Sequence, residues 1–90
     1  MSGSIKAPER LQEVMTELVN AWCDRRCLRA LRHALQGWPL TSGLTDDWGQ
    51  LRDGLKDVRA FAKDELTSAE LATIQSLIAG IDDLLARPRA

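Results

Sequence analysis

Cysteine is scarce in this chain: Cys23 and Cys27 are the only two, which is no disulfide framework. Histidine is scarcer still. His33 stands alone, so a structural zinc site, which needs four ligands, finds at most three here. The Cys23-x3-Cys27 spacing is one residue longer than a redox Cys-x-x-Cys pair. Both thiols are therefore expected as small buried side chains near a helix junction. No apolar run approaches the ~18–20 residues that cross a bilayer. The first residues also lack the basic-then-apolar order of a secretory signal, and a cytoplasmic location is the expectation. The six glycines are scattered, which leaves no phosphate-binding loop. Repeats, low-complexity tracts and strand-like alternation are absent as well.

What is present suits one folded domain. Ninety residues leave no room for two, and 44% hydrophobic with 28% charged side chains is the balance of a chain with a core. Residues 1–6 and 87–90 are expected to be flexible ends. The net charge of −1 gives no global field that would attract nucleic acid or an anionic membrane.

Four amphipathic segments carry the chain. Pro8 suits a first helical position, where its missing N–H costs nothing. Leu11, Val14, Met15, Leu18, Val19 and Trp22 then recur at spacings of three and four, predicting a helix over about 8–23. The stripe loses phase at Arg25 and Arg26. A second stripe of Cys27, Leu28, Leu31, Ala34 and Leu35 predicts a helix over about 25–36, with Asp24 as its N-cap and Gly37 at its end. One bent helix through Asp24 is the alternative. Thr45 is the expected cap of a third helix over about 46–63, whose stripe is Trp48, Leu51, Leu55, Val58 and Ala62. Thr67-Ser68-Ala69-Glu70 is a capping box, with Leu66 and Leu71 at the staple positions. It opens a fourth helix over about 68–86, with Leu71, Ile74, Ile78, Ile81 and Leu85 as its stripe and Leu77 and Leu84 beside it. The expected fold is all-α, a compact four-helix bundle in which helices 3 and 4 form an antiparallel hairpin.

The unusual segment is the second helix. Arg25, Arg26, Arg29, Arg32 and His33 give it a dense positive face, and the i, i+4, i+7 spacing of Arg25, Arg29 and Arg32 would project them together. Arginine grips carboxylate or phosphate with a planar fork. This face is either paired within the chain, to Asp46, Asp47, Asp53 or Asp57, or left to solvent, or it binds an acidic protein or nucleic acid. The mildly acidic pI of about 5.7 argues against nucleic acid. A helix-turn-helix would want a glycine turn before its recognition helix, and none is there. Trp38, between a helix-ending glycine and Pro39, either caps the bundle end or anchors an interface. Trp22 and Trp48 fall on the stripes and are expected in the core, with their indole donors partnered.

Catalysis finds little to work with. The acidic pairs Asp46/Asp47, Asp64/Glu65 and Asp82/Asp83 are adjacent in sequence, so helical geometry points their members about 100° apart. They are expected at helix starts and on solvated faces. No catalytic, cofactor-binding or metal-binding residues are assigned. The expectation is a non-enzymatic interaction module whose partner-binding residues are Arg25, Arg26, Arg29, Arg32, His33 and Trp38. Phe61, Leu77, Leu84 and Leu40 are candidates for the face of a homodimer. Nucleic-acid binding through the same arginines is the first alternative; a small-molecule carrier or an enzyme is the second.

Overall fold

The computed structural model describes residues 8–40 and 45–86. The expected flexible ends, residues 41–44 and the side chains of Pro8, Thr45 and Asp46 lie outside that part. The chain is all-α. Helix α1 spans Pro8–Arg25, α2 Leu28–Ala34, α3 Thr45–Phe61 and α4 Ser68–Ala86, with a single 3-10 turn at Lys63–Glu65 between the last two. Helices α1 and α3 each pack against both α2 and α4, so the four close a circuit around one core.

The predicted stripes build that core. Leu11, Val14, Met15, Leu18 and Trp22 are buried from α1, and Trp48, Leu51, Leu55 and Val58 from α3, with Ala62 just beyond its end. Ile74, Leu77, Ile78 and Ile81 complete it from α4. Leu77 is fully buried, and Leu40 and Leu84 pack against the core, so of the four candidates for a dimer face only Phe61 is well exposed. At the start of α4 the capping box forms as read. Glu70 N–H donates to Thr67 Oγ1 at 3.0 Å, and Thr67 N–H donates to Glu70 Oε1 at 3.1 Å. Arg52, in the middle of α3, donates to Asp82, late in α4, at 2.9 Å.

The α1–α2 junction differs from expectation. Asp24 does not cap α2; it lies inside α1, which runs on to Arg25. The break falls at Arg26, whose φ of 57° is left-handed. Arg26 N–H donates to Cys23 O at 3.2 Å and Cys27 N–H to Trp22 O at 2.9 Å. That pair of reversed bonds is a Schellman ending, with arginine where glycine is usual. Helix α2 is thus seven residues long rather than twelve. Two separate helices, not one bent helix, pass through this region.

Gly37 follows α2 for a reason other than handedness. A Cβ there would collide with the Leu51 backbone, so the residue is small because the chain lies against α3. Gly54 plays the matching part within α3, where a Cβ would meet the His33 carbonyl oxygen at 2.7 Å. These two contacts hold α2 close against α3.

Candidate interaction surface around α2

Three carboxylates gather the junction. Arg25 donates to both oxygens of Glu70, at 2.6 and 2.7 Å, and to the Glu65 carbonyl at 3.1 Å. Arg29 donates to Asp64 Oδ2 at 2.5 Å and to the Phe61 carbonyl at 3.2 Å, and its Nε lies 3.6 Å from Glu65 Oε2. Glu65 Oε1 accepts the Ala30 N–H at 2.9 Å. Cys27, the N-cap residue, offers α2 no side-chain cap. The cap comes instead from Glu65, whose negative charge sits where the helix dipole is positive.

The electrostatics follow from this geometry. The Arg25 guanidinium holds the Glu70 carboxyl below its ordinary value, helped by the Thr67 backbone N–H and opposed by burial. The buried Trp22 indole N–H lowers the same carboxyl further, without a hydrogen bond of normal geometry. The expectation of a partnered Trp22 indole is not met: its buried N–H makes no hydrogen bond. Arg29 likewise holds Asp64 low.

The arginines thus divide. Arg25 belongs to α1, Arg26 to the turn, and Arg29 and Arg32 to α2, so Arg25, Arg29 and Arg32 do not share one continuous helical face. Arg25 and Arg29 are paired to Glu70, Asp64 and Glu65, not to Asp53 or Asp57. Asp64 and Glu65, expected at a helix start or on a solvated face, instead meet Arg29. Arg26 and Arg32 are exposed and meet no carboxylate among the described residues. His33 is half-buried, its ring 5.7 Å from that of Phe61, and its Nδ1 is buried without a partner. Trp38 is half-buried and packs against the core. Cys27 is buried, but Cys23 is exposed, which corrects the expectation of two buried thiols. No group of three or more His, Cys, Asp or Glu side chains placed to hold a metal occurs among the described residues.

Helix α2 also exposes leucine where its stripe predicted burial. Leu28 is 69% exposed and Leu35 48%. The buried side of the helix is made by Cys27, Ala30 and Ala34, a stripe of small residues at i, i+3 and i+7. Leu28, Leu31 and Leu35 form a second stripe turned by roughly 100°, the angle one residue subtends. Leu31 is half-buried between the two. The expected stripe of Cys27, Leu28, Leu31, Ala34 and Leu35 mixes the two, and so places all five residues inside. Arg32 lies beside Leu28 and Leu35, one turn from each, while His33, beside Phe61 of α3, faces well away from them.

The fold and this surface define an all-α protein of four helices with a basic, leucine-bearing short helix on its outside. No protein-family model matches the chain, and no curated protein or solved structure is significantly similar to it. Among the described residues no helix is long and apolar enough to cross a membrane.

Proposed function

We propose that this protein is a small, non-enzymatic, cytoplasmic interaction module that binds another protein through the outer surface of α2. One observation carries the reading. A seven-residue helix, held in place by small residues on one side, leaves Leu28 and Leu35 exposed on the other. Exposed apolar side chains grouped on one element and edged by charge are typical of partner surfaces. The division of the arginines supports a protein partner over nucleic acid. With Arg25 and Arg29 paired in the chain, too little free positive charge remains for a phosphate-tracking face.

The test is affinity capture from the source cell with and without nuclease, using the whole chain, Leu35→Ser and Arg32→Glu. The reading expects a protein retained after nuclease and released by both substitutions. Release by nuclease alone would favour the nucleic-acid alternative. A co-purifying small molecule seen by native mass spectrometry, with no captured protein, would favour the carrier alternative.

A further inference from the structure

We infer that the Leu28–Leu31–Leu35 stripe is the seat of an acidic amphipathic helix, with Arg32 as its charge-reading residue. The inference rests on the interaction reading above and names the partner chemistry of that surface. Leu28, Leu31 and Leu35 follow the three-then-four spacing of a helix seam. Leu28 and Leu35 lie about 10 Å apart along the axis, since each residue rises about 1.5 Å. A second helix laid along this seam would set its own apolar residues, one heptad apart, against them.

Charge decides which helix. Arg32 stands between the two exposed leucines and has no carboxylate among the described residues. Of the acids that reach the α1–α2 junction, Asp64 and Glu65 are engaged by Arg29, and Glu70 by Arg25. The seam therefore presents uncompensated positive charge, and complementarity requires acid from the partner. The same fact disfavours a second copy of this chain. A two-fold contact centred on the seam would bring Arg32 against its own counterpart, and like charges facing each other oppose association. The assignment separates Arg32, which recognises, from Arg25 and Arg29, which hold the junction.

The probe is a fluorescein-labelled helical peptide with leucines one heptad apart and glutamates between them, compared with its lysine-for-glutamate counterpart. Anisotropy should report binding of the acidic peptide alone, weakening as salt is raised. Leu35→Ser and Arg32→Glu should each cost about tenfold or more in affinity. Arg59→Glu, an exposed charge change at the end of α3, should leave affinity unchanged. Circular dichroism of each variant checks that it folds. Equal binding of both peptides overturns the role of Arg32. Self-association of the free protein in sedimentation, abolished by Leu35→Ser, assigns the seam to a second copy and overturns the inference. If a cellular partner is released by both α2 substitutions yet the acidic peptide does not bind, the acidic-helix assignment is wrong while the interaction reading stands. If neither peptide nor cellular protein binds, both fall.

Discussion

Arg25 and Glu70, forty-five residues apart in sequence, meet through two hydrogen bonds of 2.6 and 2.7 Å. The same Glu70 carboxylate closes the capping box at the start of α4. One side chain thus fastens the end of α1 to the beginning of α4 and shapes the first turn of α4 as well. The direction of its pH effect follows. A carboxyl held low in the folded state favours folding fully above its unfolded pKa, and that contribution is lost as pH falls through the lower folded value.

Thermal melting should therefore show a stability loss on acidification that begins near the ordinary glutamate value of 4.5 and continues below it. Glu70→Gln keeps a capping-box side chain but removes the charge. It should lower the melting temperature at neutral pH and flatten the acid dependence. A variant whose acid profile matches the parent would show that other carboxyls, Asp64 foremost, set the response.

Two glycines inside α3 should respond in opposite directions to alanine. Gly54→Ala would press a methyl against the His33 backbone carbonyl, which cannot move without shifting α2. A loss of about 2 kcal/mol is expected, the scale of overpacking. Gly49→Ala meets nothing within 4 Å, so the helix-propensity gain of up to about 1 kcal/mol should appear unopposed. Urea denaturation of the two variants checks the signs. Were both to stabilise, the close approach of α2 to α3 would be looser than described.

The contrast between these helices also explains what could be read in advance. The stripes of α1, α3 and α4 and the Thr67–Glu70 box are written in neighbouring residues, at spacings a helix imposes locally. The junction is not. The cap of α2 is Glu65, from the α3–α4 connection, and the anchor of Arg25 is Glu70, from the first turn of α4. Asp24 is the better local cap, so a reading from nearest neighbours places the break there. The two leucines fail for a related reason. A short helix whose inner face is Cys27, Ala30 and Ala34 needs no leucine inside, yet the larger apolar residues dominate the sequence pattern. Among the partner candidates, Arg25 and Arg29 could have been separated from Arg32 only by knowing where Asp64, Glu65 and Glu70 arrive.

Arg26 occupies the left-handed position of the α1 ending with a side chain that meets no carboxylate among the described residues. An L-residue there costs on the order of 1–2 kcal/mol that glycine does not incur. Part of that gain is offset by the extra freedom glycine has when unfolded. Arg26→Gly should therefore stabilise the protein by about 1 kcal/mol or somewhat less, read as a higher denaturation midpoint at an unchanged slope. A loss of stability would mean that the arginine side chain holds the junction through a contact outweighing its backbone strain.

Glu65 gives a test of whether α2 depends on a cap it does not encode. Its carboxylate accepts the Ala30 N–H and stands beside Arg29, and Cys27 contributes no side-chain cap of its own. A seven-residue helix is too short to persist by propensity alone. Removing the cap should therefore be felt first within α2. Glu65→Ala is expected to cost about 1 kcal/mol overall, the usual worth of an N-cap. Its sharper signature should be faster hydrogen exchange at the Ala30 amide and the turn that follows, with exchange in α3 and α4 little changed. Glu65→Gln, which keeps an acceptor oxygen but no charge, should fall between the parent and the alanine variant. Uniform acceleration across all four helices in Glu65→Ala would instead mean that α2 opens only when the whole fold does, and that its cap is one part of a single cooperative unit.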